Sequence, residues 1–309
     1  MATEPILAAL DSSAAPNSRI ARSDVLFDYW TLTKPEVNFL IAITSAAGFW
    51  LGSRETLTSF RWVLLLHTLL STVLVASGAA TLNQLIELRH DAQMRRTARR
   101  PLPSGRIVPF HALCFGILLS ALGIVYLALS TNTLAALLAA LTLFSYLFLY
   151  TPLKRITPLC TLVGAIPGAA PPLIGWAAAC GHLDPIAWLL FAMVFLWQFP
   201  HFMSIAWMYR EDYARAGYLV LPANETRNRF VSWQVMTASA VLLVVGLIPT
   251  LTGLAGFVYF AGALVIGGMF LLYGLRFAAQ RTSVAARQLL LASILYLPAV
   301  LALLVLNMM

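Results

Sequence analysis

The chain has 309 residues, of which 60% are hydrophobic and only 10% charged, where a soluble domain typically carries about 25% charge. This balance excludes an ordinary water-soluble globule and indicates an all-α, polytopic integral membrane protein. The net charge of +8 would suit nucleic acid, but the basic residues lie between apolar runs rather than along one surface, which favours membrane orientation and anionic ligands and no nucleic acid.

Residues 1–25 mix Ser, Ala, Pro and acids without an apolar core and read as a disordered cytoplasmic tail ahead of a transmembrane domain at 26–309. Glu4, Asp11 and Asp24 argue against an organellar transit peptide. Apolar runs long enough to cross a bilayer lie at about 36–53, 61–88, 108–128, 132–150, 159–180, 185–208, 231–252, 254–276 and 287–307, which predicts nine helices. Eighteen of the twenty basic residues fall in the tail or after the even-numbered spans, and only Arg54 and Arg61 fall on the other side. The amino terminus is therefore expected in the cytoplasm, or in the matrix of a mitochondrion, and the carboxy terminus outside. The Gly- and Pro-containing run GAIPGAAPPLIGW at 164–176 marks a kink or a close helix crossing. Cys114, Cys160 and Cys180 have no CxxC spacing, so neither a disulfide framework nor a zinc site is indicated.

At the end of the second span, Asn83, Glu87 and Asp91 stand four residues apart. On a helix each step turns about 40° past a full turn, so the three oxygen-bearing side chains form one slanting row. The bland reading is that polar residues solvate the membrane interface, but interfacial residues need no fixed spacing. The functional reading is an Mg²⁺ site for a diphosphate, because Mg²⁺ takes few protein carboxylates and fills its shell with phosphate oxygens and water. Arg95, Arg96, Arg99 and Arg100 follow at once, and arginine forks pair well with phosphate.

Of the twelve acids, only Glu211 and Asp212 share that side at the end of a span. A bundle that joins the ends of spans two and six would gather Glu87, Asp91, Glu211 and Asp212. Glu211 has a plainer reading as an i,i+4 ion pair with Arg215, whereas Asp212 is a candidate for the second side of a diphosphate–metal clamp. Lys34, Lys154 and Arg210 can be topogenic charges or cations aimed at the same place. His201 follows Pro200 in an aromatic-rich helix. It is either a hydrogen-bonded core residue or an iron ligand, since an ionisable residue within a membrane segment is a functional candidate by default.

The stretches DYWTLTKPEV, RTARRPLPSGRI, LYTPLKRITP, GAIPGAAPPLIGW, WQFPHFMSIAW and DYARAGYLVLP together resemble the UbiA-type intramembrane prenyltransferases, and within them the heme-farnesylating branch, over about residues 28–307. The resemblance implies a UbiA-type helical bundle around a central cavity, with farnesyl diphosphate and heme b as substrates, heme O as product and Mg²⁺ as cofactor. It implies Asn83, Glu87, Asp91 and Asp212 on the metal, Arg96, Arg100, Lys154, Lys34 and Arg210 on the diphosphate, and His201 on the heme. It further implies the bacterial inner membrane, and a heme A synthase or terminal oxidase assembly factor as recipient. Two positions depart from the superfamily pattern. Glu87 stands where Asp is usual, and Tyr209 where quinone-directed relatives carry Asp, which suggests one cation site rather than two. A quinone-precursor prenyltransferase and a secondary transporter are the alternatives, and the latter calls for carboxylates near the bilayer midplane.

Overall fold

A computed structural model describes residues 22–53, 59–222 and 224–308, with side chains over 24–53, 61–222 and 229–308. The tail up to residue 21, together with Arg54 and Glu55, lies outside the described residues. Helix α1 (Arg22–Leu32) begins inside the stretch read as tail. It is followed by α2 (Pro35–Gly52), α3 (Ser59–Ile86), the short α4 (Leu88–Asp91), α5 (Pro109–Ser130) and α6 (Thr133–Phe144). A π-helix (Ser145–Tyr150) runs on into α7 (Thr151–Leu153). The remainder is α8 (Cys160–Ala169), α9 (Pro171–Cys180), α10 (Pro185–Met208), α11 (Arg210–Arg215), α12 (Asn224–Leu251), α13 (Phe257–Gln280) and α14 (Ser283–Leu306).

Among the described residues, eight helical segments are long and apolar enough to cross a membrane, from Arg61–Ile86 to Ser283–Leu306. They match the second to ninth expected spans. The first expected span is α2, a helix of 18 residues whose Glu36, Asn38, Thr44 and Ser45 dilute its apolar character. Asn38, Thr44 and Ser45 are buried, so α2 turns these three into the bundle, while Glu36 is exposed. Asn38 Nδ2 donates to Ser77 Oγ at 2.8 Å, which pairs a buried amide as the low-dielectric interior requires.

The helices pack as a closed ring. Each of α2, α3, α5, α6, α9, α8, α10, α12, α13 and α14 touches the next, and α14 returns to α2. Across the ring α9 lies along α2, and a Cβ on Gly175 would stand 1.9 Å from the Ser45 carbonyl oxygen. Only glycine permits that approach, which is how helices associate where lipid removes the hydrophobic drive. The Cys160–Cys180 segment is the most thoroughly buried of the spans and breaks between Ala169 and Pro171, as its Gly/Pro content predicts. Short connections are closed by local caps. The Asp184 carboxylate accepts from the Ile186 and Ala187 amides at 3.0 and 3.3 Å, Asn132 caps α6 through the Ala135 amide at 3.0 Å, and Gly181 ends α9 at φ 78°. Outward residues such as Leu118, Leu122, Val125 and Leu129 are exposed and form the lipid-facing surface.

Candidate active site

Helix α3 stops at Ile86, Glu87 takes φ −90° and ψ 2°, and α4 resumes at Leu88. The break does not scatter the row. The Glu87 amide still donates to Asn83 O at 3.0 Å and the Asp91 amide to Glu87 O at 2.8 Å, so the four-residue repeat survives. Asn83, Glu87 and Asp91 are all buried, which a solvated interface would not require.

Each member of the row has a defined partner. Lys154 Nζ donates to Glu87 Oε1 at 2.7 Å, and Arg100 donates through one terminal nitrogen to Asp91 Oδ2 at 2.8 Å. Asn83 turns its amide nitrogen to Thr151 Oγ1 at 3.1 Å. Its carbonyl oxygen accepts from Tyr146 OH at 3.2 Å and Lys34 Nζ at 3.4 Å. Tyr146 and Thr151 are five residues apart, and the Thr151 hydroxyl donates to the Tyr146 carbonyl at 2.8 Å. An α-helical spacing would turn one of them away; the π-helix brings both to Asn83, in keeping with the tendency of π-turns to mark functional sites.

Lys34 arrives by an unusual backbone. It has φ 51° and ψ 66°, the left-handed region that costs a non-glycine residue on the order of 1–3 kcal/mol. Neighbouring bonds hold the turn in place: Gln84 Nε2 donates to Leu32 O at 2.8 Å and Asn38 Nδ2 to Thr33 O at 2.9 Å. Strain of this kind persists where a side chain must be aimed.

The electrostatics follow from burial and pairing. Burial alone would raise the Glu87 carboxyl, but the Lys154 charge and hydrogen bond override it and hold it below the usual range. Burial likewise opposes charge on Lys154, and Glu87 overrides it, raising the ammonium well above its ordinary value. Burial pushes the Asp91 carboxyl up, and Arg100 only partly restrains it. Burial and then the Arg100 charge pull the Lys34 ammonium down to about 8, against Glu87. The buried Tyr218 hydroxyl is close enough to Glu87 to help hold that carboxyl down, yet it forms no hydrogen bond of normal geometry.

The structure joins the ends of α3 and α10, as the inventory of acids leads one to expect, with a different division of labour. Asp212 is buried and accepts from the backbone amides of Arg95 and Arg96 at 3.3 and 3.4 Å and from Arg215 at 3.1 Å. Arg215 therefore pairs with Asp212 at i,i+3 rather than with Glu211, which is exposed. Arg96 lies between the rings of Tyr209 and Tyr213, 4.7 and 4.8 Å from their centroids, and donates to Tyr213 OH at 2.7 Å. Tyr209 thus offers Arg96 a cation–π face. Arg210 donates to Trp207 O at 3.0 Å and stacks over the Trp207 ring, so it is directed back at the end of α10. The basic loop is pinned to α1 by the bidentate Arg106–Asp28 pair at 2.8 Å. His201 stands apart from this cluster, within α10, bonded to Ser293 Oγ through Nδ1 at 2.8 Å.

Among the described residues no three His, Cys, Asp or Glu side chains gather as a ready metal cage. The row nevertheless suits Mg²⁺. Its donors are hard oxygens, the Asn83 carbonyl and the Glu87 and Asp91 carboxylates, too few for an all-protein shell and matched to an ion that keeps water and phosphate ligands. Tyr146, Thr151, Tyr213 and Tyr218 are the site residues that the spacing of the charges does not reveal. The only signal for the first two is their place in SYLFLYTP, just ahead of Lys154.

Comparison with known proteins gives the family and the fold. Residues 41–304 match the UbiA prenyltransferase family. A protoheme IX farnesyltransferase of Solibacter usitatus is 49% identical over 91% of this chain and 98% of its own length. One from Koribacter versatilis is 43% identical over 95% and 96%. Among solved structures, digeranylgeranylglyceryl phosphate synthase superposes with a TM-score of 0.72 at 17% identity, covering 91% of this chain and 98% of that one. A UbiA homologue from Archaeoglobus fulgidus bound to DMAPP and Mg²⁺ gives 0.62 at 18% identity, over 90% and 99%; at such identities the likeness is one of fold. The chain belongs to the UbiA prenyltransferase family, among relatives that are protoheme IX farnesyltransferases.

Proposed function

We propose that this multi-pass membrane prenyltransferase transfers the farnesyl group of farnesyl diphosphate to a vinyl group of heme b and adds water, giving heme O and diphosphate. The observation that carries the diphosphate half is that Glu87 and Asp91 are each bonded to a cation, Lys154 and Arg100, that a diphosphate can take over. The names of the two protoheme IX farnesyltransferase relatives support the acceptor.

Asn83, Glu87 and Asp91 would hold Mg²⁺, with Asp212 ordering the loop on the facing side and lending its charge. When bound, the ion neutralises phosphate oxygens and makes diphosphate a better leaving group. Lys154 and Arg100 move from carboxylate to phosphate, and Lys34 adds a third charge from beside Asn83. Arg96 and Arg210 complete the positive rim. Charge fixed in this way stabilises the anion that grows as the allylic C–O bond breaks, its electron pair leaving with the diphosphate. The vinyl π electrons form the new C–C bond to farnesyl, water supplies oxygen to the carbon left electron-poor, and one proton is released. A dry pocket keeps water from capturing the farnesyl cation first. His201 positions the heme through its iron.

The site opens to the cytoplasmic face of a bacterial inner membrane, with the amino terminus inside and the carboxy terminus outside. A heme A synthase or oxidase assembly factor receives the product. The test feeds purified chain labelled farnesyl diphosphate with heme b or with 4-hydroxybenzoate, with and without Mg²⁺. Label in a heme fraction, dependent on Mg²⁺, is expected; label in the benzoate alone would assign the quinone branch instead.

A further inference from the structure

The surroundings of His201 determine more than its place. Helices α10 and α14 are joined at Ser293, a residue with no exposure. Its backbone carbonyl accepts from Trp197 Nε1 at 2.8 Å and its hydroxyl meets His201 Nδ1 at 2.8 Å. The Trp197 and His201 rings stack one helical turn apart, with centroids 4.7 Å apart and planes at 25°. The imidazole is thus held on one face by an indole and at one edge by a hydroxyl.

The proton count decides the roles. A serine hydroxyl carries a single proton, and that of Ser293 is spent on the Leu290 carbonyl oxygen at 2.6 Å. If it pointed at His201 instead, two oxygens would face each other at 2.6 Å with no proton between them, in an interior where such contacts are poorly screened. Towards His201 the hydroxyl can therefore only accept. The proton in the His201–Ser293 bond must belong to Nδ1.

We infer that Ser293 is a positioning residue that fixes His201 as the Nδ1–H tautomer and so presents the bare Nε2 lone pair to the iron of the heme substrate. Among the described residues Nε2 has no hydrogen-bond partner, while the Ser204 hydroxyl anchors the His201 carbonyl at 2.7 Å. A metal-binding histidine that donates its other ring N–H to an oxygen is the usual outer-shell arrangement, and it raises the basicity of the ligating nitrogen. Here it is assembled from a serine already committed to its own helix. The iron half of the inference rests on the heme reading above; the tautomer half does not.

The experiment separates the two. The chain contains five histidines, so imidazole-¹⁵N labelling gives a spectrum that single His variants can assign. In the heme-free protein His201 is expected to show a protonated δ1 nitrogen and an unprotonated ε2 nitrogen. Ser293→Ala, which removes one oxygen from a packed site, is expected to release this preference. Ferric heme titrated into the same proteins is expected to bind the wild type with a His-ligated absorption spectrum. Ser293→Ala should shift that spectrum and weaken binding by roughly 10-fold or more, the loss typical of removing an outer-shell partner, and His201→Ala should abolish the His-ligated form. A protonated ε2 nitrogen in the wild type, or a Ser293→Ala spectrum identical to wild type in both measurements, overturns the positioning role. The δ1-protonated tautomer combined with an unchanged heme spectrum in His201→Ala overturns iron ligation and leaves the tautomer assignment standing.

Discussion

At the charged end of the bundle Glu87, Asp91 and Asp212 are each bonded to a cation, whereas within the membrane His201 and Trp197 are both hydrogen-bonded to Ser293, with no carboxylate among them. The first arrangement can be exchanged. Ion pairs whose cations have a second anionic partner available lose little when ligand takes the cations and a metal takes the carboxylates. The second has no such alternative, because each proton in it has one acceptor. Exchangeable charge suits a ligand that arrives and leaves, and fixed hydrogen bonds suit an acceptor to be held in one pose. The first region should respond to changes in charge, and the second to changes in proton position.

The largest expected effect is on the row. Asp91→Asn or Glu87→Gln keeps shape and removes a charge, and kcat/KM for farnesyl diphosphate should fall by roughly 10²–10³-fold or more, the scale of losing one preorganised electrostatic group. Steady-state turnover with Mg²⁺ varied checks this, and near-wild-type turnover would remove that residue from the metal. Asp212→Asn should also lose most activity, through the loop whose Arg95 and Arg96 amides it holds.

Lys154→Met comes next and separates pairing from catalysis. It leaves a buried carboxylate without its partner, which costs on the order of 3–5 kcal/mol and should lower the thermal unfolding temperature in detergent. Adding Glu87→Leu to it should restore most of the stability and none of the activity. A double variant no more stable than Lys154→Met would mean that the pair is not a buried charge pair of the kind described.

Two smaller effects sharpen the contrast. Tyr146→Phe removes one neutral donor from the Asn83 carbonyl oxygen, a loss of about 1 kcal/mol, and should raise the Mg²⁺ concentration for half-maximal activity several-fold with little change in stability. Asp28→Asn weakens the bidentate Arg106 pair, in which a buried carboxylate meets a partly exposed guanidinium. It should leave turnover nearly unchanged while increasing proteolytic cleavage of α1 and the basic loop.

The row itself was legible from spacing alone, since a four-residue repeat of oxygen-bearing side chains survives even the break at Glu87. Asp212 could be picked out because, apart from the row itself, only Glu211 and Asp212 follow the end of a span on that side of the membrane. The π-helix was not legible: SYLFLYTP is an apolar run under any periodicity, and only a changed backbone register brings Tyr146 and Thr151 to the same amide. Nor could spacing tell that Arg215 pairs with Asp212, or that Arg210 folds back on Trp207, because adjacent residues on a short helix compete for the same partner. Ser293 lies 92 residues from His201, and a serine in an apolar helix carries no local mark of what it faces.

The mass of the heme extracted from membranes of cells that make heme b and express this chain tests farnesyl transfer by this site. Expression should convert part of the heme b pool to a more hydrophobic species heavier by one farnesyl group and one hydroxyl group, and the Asp91→Asn chain, present in the membrane at equal level, should not. Unmodified heme b in both cases, or equal conversion by both chains, would contradict it.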